Sequence, residues 1–157
     1  MAANPHDDPT ALHTHAPESR RMALPRSSRF RDVGLLILRI GIGSMFVGHG
    51  LPKMVAGPTR WAELGEAVGH LGIHVGPPAV WGFLAALSEL LGGILLATGV
   101  LFRPACLLLL STMVVATITH VNNGDDFDQT SHAAEMGVLF LSLLLIGPGP
   151  WRIRIGR

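Results

Sequence analysis

The chain has 157 residues, 48% of them hydrophobic and only 15% charged, against roughly 25% charged in soluble domains. Its net charge of +1 supplies no basic field of the kind that binds nucleic acid, and no nucleic-acid partner is expected. The single cysteine, Cys106, excludes an internal disulfide and a CxxC pair, so redox chemistry by this chain alone needs a bound cofactor.

Residues 1–31 are polar and rich in proline, histidine and arginine, without the apolar core of a signal peptide. They read as a disordered cytoplasmic tail, with Met22 as a second candidate start. His6, His13 and His15 in this tail are read as solvated side chains. Residues 32–157 form the membrane domain. Four apolar stretches, about 33–51, 78–101, 104–121 and 133–147, approach the roughly 20 residues that cross a bilayer as a helix. Gly147-Pro148-Gly149-Pro150 should stop the last one. Between the first two stretches, Trp61, Leu64, Val68 and Leu71 recur at helical spacing. They predict an outer amphipathic helix over about 59–71, lying on the membrane surface, capping the bundle mouth, or both.

Arginines precede the first stretch, stand between the second and third (Arg103) and follow the fourth (Arg152, Arg154, Arg157). The last connection, 122–132, has no Lys or Arg and carries Asp125, Asp126 and Asp128. By the positive-inside rule both termini are expected in the cytoplasm, although Lys53 and Arg60 weaken the asymmetry. The fold class is all-α, a four-helix transmembrane bundle. The location that follows is the plasma (inner) membrane, with the lipid bilayer as the first partner.

Ionisable groups inside these stretches are costly, about 2.5–3.5 kcal/mol each at the bilayer centre, and persist when they pair or line a polar site. On a rise of 1.5 Å per residue, Arg39 lies about 10 Å and Glu89 about 16 Å from the cytoplasmic end, within arginine reach. They are expected to form a structural ion pair. Ala85, Ala86, Gly92 and Gly93 surround Glu89 at i±3 and i±4, which marks a packed helix face. Gly41, Gly43, Ser44 and Gly48 read as a similar face on the first span, and such faces also suit homo-oligomer contacts. His49, Lys53, His120 and Glu135 fall near the outer end and form the candidate polar site. Two histidines and a carboxylate are compatible with a transition metal, but no HxxxH or ExxH spacing supports one, and no metal is predicted. A histidine–carboxylate group also suits a quinone carbonyl and proton transfer.

The strings Leu36-Ile37-Leu38-Arg39-Ile40, His49-Gly50-Leu51-Pro52-Lys53, Glu89-Leu90-Leu91-Gly92-Gly93 and Leu101-Phe102-Arg103-Pro104, with the closing Gly147-Pro148-Gly149, resemble the DoxX family of small membrane proteins. The resemblance runs from about Val33 to Arg157. It implies a four-helix integral membrane protein linked to thiosulfate:quinone oxidoreductase or to membrane complexes that handle thiol and oxidative stress. It also makes Arg39, His49, Lys53 and Glu89 family-typical polar residues. The expected function is therefore the membrane subunit of a redox system that binds a quinone. The alternative is a non-catalytic anchor or scaffold for a partner oxidoreductase. A small-solute carrier ranks last, because no inverted repeat is visible.

Overall fold

The computed structural model describes residues 26–153, with side chains from Arg29 onward. The described residues form α-helices and one 3-10 segment, with no strand. Helix α1 spans Arg26–Val55, α2 Pro58–Gly65, α3 Pro78–Thr98, α4 Phe102–Asn123 and α5 Phe127–Ile146, and a 3-10 turn, Glu66–Leu71, follows α2. Helices α1, α3, α4 and α5 are each long and apolar enough to cross a membrane. Most of the tail expected over 1–31, including its histidines, lies outside the described residues. From Arg26, however, the chain is already helical, six residues inside that stretch.

The helix limits have local causes. Gly99 takes a left-handed conformation (φ 73°) and its N–H caps the carbonyls of Leu95 and Leu96, so α3 ends at Thr98 and not at residue 101. Pro104 falls in the first turn of α4, where its missing N–H costs no helical hydrogen bond. Helix α5 starts at Phe127, before the apolar stretch, with Asp126 and Asp128 at the end where the helix dipole favours negative charge. Pro52 lies inside α1, which nevertheless runs on to Val55.

Helices α1 and α3 run antiparallel along a seam of small residues. A Cβ added to Gly43 would lie 2.6 Å from the Gly93 carbonyl oxygen, and one added to Gly50 would lie 2.5 Å from the Leu90 nitrogen. Gly92 seats the Leu109 side chain of α4 in the same way, 2.9 Å from a would-be Cβ. The small-residue face around Glu89 is thus where α3 meets both neighbours. On α1 the close face is Gly43 and Gly50; Gly41 and Gly48 meet nothing within 4 Å, and Ser44 is exposed. In lipid, where apolar side chains gain little by leaving solvent, such close approach supplies the van der Waals attraction between helices.

The amphipathic segment caps the bundle rim. α2 and the 3-10 turn occupy the stretch expected at 59–71, and α2 packs against the first turns of α3. A Cβ at Gly65 would lie 1.7 Å from the Pro78 carbonyl oxygen, and one at Gly82 the same distance from that of Trp61. The Trp61 ring meets Phe83 edge-on at 5.0 Å, and its indole N–H donates to the Lys53 carbonyl at 2.9 Å. The core beneath is Phe46, Leu96, Phe102, Cys106, Leu109, Phe140 and Leu143, with the free thiol fully buried among them.

The helices contact in the order α1–α3–α4–α5, but no Cα atoms of α1 and α5 come within 8 Å of each other. At mid-height this junction is bridged by Phe46 and Phe140, 5.0 Å apart and edge to face. At the base, where α1 enters and α5 leaves, it is bridged by Arg39, which is 1% exposed. Its guanidinium donates to the carbonyls of Leu96 (3.2 Å) and Ala97 (3.3 Å) at the end of α3, and to those of Pro148 and Trp151 (2.8 Å) beyond α5. It also lies 5.7 Å over the ring of Phe102 at the start of α4. One side chain therefore touches the base of all four spans.

The expected Arg39–Glu89 ion pair does not form. Leu96 and Ala97, which hold Arg39, lie seven and eight residues from Glu89, or about 10–12 Å along the helix. The last carbonyls of α3 lack helical partners and sit nearer, at the negative end of the helix dipole. Gly99 leaves room for this contact, since a Cβ there would fall 2.2 Å from the guanidinium.

The packing at α2 can be tested with a pair of glycines. Gly82→Ala places a methyl group against fixed backbone and should lower stability by about 1–3 kcal/mol. Gly34→Ala, with nothing within 4 Å in the same kind of helix, should be neutral or slightly stabilising. Thermal melts in detergent with a folding probe should rank the variants in that order.

Candidate functional site

Above the Phe46–Phe140 bridge the α1–α5 junction opens into a cleft of about 310 Å³. All four spans line it. Met45, His49 and Lys53 come from α1, Glu89 from α3, Met113, Ala116 and His120 from α4, and Gln129, His132 and Met136 from α5. On α1 and α5 these positions recur every three or four residues, so each helix turns one stripe to the opening.

Glu89 forms part of the cleft wall, its side chain 5% exposed. Its carboxylate accepts from Lys53 Nζ at 2.7 Å through both oxygens. This pair, and not Arg39–Glu89, neutralises the buried carboxylate. Lys53 reaches it because Gly50, one turn earlier, brings α1 against the backbone of Glu89 and Leu90. Both members stand on the cleft, and a lysine has three N–H donors, so one remains after Glu89 takes two.

His120 lies at the end of α4, and its Nδ1 is 2.7 Å from Asp125 Oδ2 in the following loop. Each of these side chains is about one third exposed, with relative areas of 31% and 30%. His49 lies on α1, its ring 6.4 Å from Phe46 in an edge-on contact. Thr117 and Thr119, which flank His120, turn their hydroxyls back to helix carbonyls at 2.8 and 2.9 Å, and Ala116 gives the cleft a small wall.

Three of the four expected site residues, His49, Lys53 and His120, meet in this cleft, and Glu135 does not. Glu135 is exposed in a separate shallow groove with Phe127, Thr130, Ser131, Ala134 and Val138. It matches the others in depth, but it follows the helix about 100° round from Met136, which faces the cleft. Glu89, Gln129 and His132 take part instead. His132 was detectable from its spacing, since Gln129, His132, Met136 and the buried Phe140 form one helical stripe. Among the described residues no group of three or more His, Cys, Asp or Glu side chains converges as a metal site.

The geometry combines apolar walls (Met45, Phe46, Met113, Met136) with an ion pair and imidazoles at one level. Such a cleft can receive a flat or slender amphipathic group and offer it both donors and acceptors. The opening lies between α1 and α5, two helices whose backbones do not pack together.

The Lys53–Glu89 pair can be tested as a double-mutant cycle. Lys53→Met alone strands a buried carboxylate and should destabilise the fold by about 3 kcal/mol. Adding Glu89→Met should restore most of that loss, because a matched apolar pair removes the stranded charge. Exchanging Arg39 and Glu89 should restore nothing. Thermal or denaturant unfolding of the unmodified protein, Lys53→Met, Glu89→Met and the double variant in one detergent would measure the coupling.

A search of curated proteins and a search of solved structures each return no match to the chain. The DoxX family matches residues 34–122, the stretch from the first turns of α1 to the end of α4. It contains Arg39, Gly43, His49, Lys53, Glu89 and His120, and it stops before the α5 wall of the cleft. With this match over more than half of its length and four membrane-spanning helices, the chain is a multi-pass membrane protein of the DoxX family.

Proposed function

We propose that the cleft binds the head group of a quinone-like carrier and that the protein is the membrane subunit of a redox system. The observation that carries this reading is the placement of Lys53, Glu89, His49, His120 and His132 around one apolar cleft at the unpacked α1–α5 junction. A quinone head is flat, carries two oxygens, and travels within the bilayer on an apolar tail. Lys53 and the imidazoles supply hydrogen bonds to the oxygens, Glu89 keeps Lys53 in place, and Met113 and Met136 contact the ring. The tail leaves past Met45, which lines the cleft and is 65% exposed. Electrons come from or pass to a partner oxidoreductase subunit, since this chain supplies no redox group of its own among the described side chains beyond a buried thiol.

In this reading the base faces the cytoplasm and the cleft opens near the outer face of the plasma membrane. The base carries Arg29, Arg31, Arg103 and Arg152, whereas the cleft end carries Lys53 and Arg60, with Asp125 and Asp126 in the α4–α5 turn and Asp128 in the first turn of α5. That distribution agrees with the positive-inside rule.

Quinone binding should raise the melting temperature of detergent-purified protein by several degrees at saturating short-tail benzoquinone. Ala116→Phe fills the cleft without touching its charges and should remove the shift while leaving a folded protein. No shift in the unmodified protein, or an equal shift in Ala116→Phe, would exclude this cleft as the quinone site.

A further inference from the structure

We infer that His120 and Asp125 make the cleft selective for the reduced, hydroxyl-bearing form of its ligand. The inference rests on the reading above that the ligand is of the quinone class. It starts from one contact, His120 Nδ1 to Asp125 Oδ2 at 2.7 Å. An ionised carboxylate only accepts hydrogen bonds, so Nδ1 must carry the hydrogen. In a neutral imidazole the other nitrogen, Nε2, is then an acceptor and not a donor. Asp125 therefore fixes the tautomer as well as the ring.

The position of the pair gives this tautomer a role. His120 lines the cleft and Asp125 does not, so the ring spans from the acidic loop to the ligand space. An acceptor nitrogen facing the ligand matches a hydroquinone, whose phenolic O–H donates to it. It mismatches a quinone, whose carbonyl would set one lone pair against another. Across the cleft Lys53 keeps one N–H beyond the two held by Glu89, and that N–H suits the second ligand oxygen in either redox form. The oxygen at Lys53 is thus indifferent to redox state, and the oxygen at His120 is not. His49 and His132 are the other ionisable groups on this cleft. Neither has a carboxylate partner that would fix its tautomer among the described contacts, so each adapts to donor or acceptor. Asp125 acts through His120 and is a positioning residue.

The test compares a short-tail benzoquinone with its hydroquinone, kept reduced under argon, at pH 8, where an ordinary imidazole is neutral. Binding to the full chain in detergent is titrated by intrinsic tryptophan fluorescence or calorimetry. The unmodified protein should bind the hydroquinone roughly tenfold more tightly than the quinone, the worth of one hydrogen bond gained against one repulsive contact. His120→Phe should bring the two affinities together. Asp125→Ala, in the turn after α4, should also narrow the ratio by freeing the tautomer, even if His120→Phe fails to fold. A merely structural role for Asp125 would lower both affinities and leave their ratio unchanged. Equal binding of the two forms, or a ratio unmoved by Asp125→Ala, would overturn this inference and leave the quinone reading standing. If neither form binds, both readings fall.

Discussion

The guanidinium of Arg39 closes the bundle. Three of the four helix junctions are made by direct packing, with glycine seams between α1 and α3 and between α3 and α4 and broad contact between α4 and α5. The fourth, α1–α5, has no backbone packing and is held at the base by Arg39 reaching the carbonyls of Pro148 and Trp151. The same side chain caps the last carbonyls of α3 and lies over Phe102 of α4. A cation with planar, fixed donors suits this task better than a flexible ammonium, because several carbonyls at different angles must be met at once. Its charge is balanced by peptide dipoles, so a carboxylate partner is unnecessary and Glu89 is left to the other end of the bundle.

That arrangement leaves the rim of the same junction free to open. With α1 and α5 fastened at the base and bridged by Phe46 and Phe140 at mid-height, their upper halves separate into the cleft. Its polar groups are individually costly at membrane depth. Glu89 is matched by Lys53 and His120 by Asp125, so that cost is partly offset within the protein. Helix α2 steadies this end by packing on α3 and by donating the Trp61 indole N–H to the Lys53 carbonyl of α1.

The helix count, the order of spans and the amphipathic cap were legible in the sequence because each depends on local composition: runs of leucine and valine, and Trp61 with Leu64 at helical spacing. The packed face around Glu89 was legible for the same reason. Pairing was not. Depth placed Arg39 and Glu89 within reach, but it took no account of carbonyls freed at helix ends, which carry no sequence signal of their own. Depth likewise grouped Glu135 with His120, although the angle round α5 turns Glu135 away and brings His132 in. The Lys53–Glu89 pair depends on a tertiary contact at Gly50 that no single helix reveals. Asp125 was visible as an acidic loop residue, and its bond to His120 required the turn at Gly124 to be seen.

The division between a fastened base and a ligand-binding rim is tested most directly by native mass spectrometry of protein extracted together with its lipids. Three proteins are compared: the unmodified chain, Arg39→Lys and Ala116→Phe. The unmodified protein should carry the mass of a prenylated quinone or hydroquinone. Arg39→Lys should yield less folded protein, and what remains should still carry that mass. Ala116→Phe should be recovered in normal amount without it. An unmodified protein that carries no such mass, or a bound mass lost with Arg39→Lys and kept by Ala116→Phe, would contradict the assignment of structure to the base and binding to the rim.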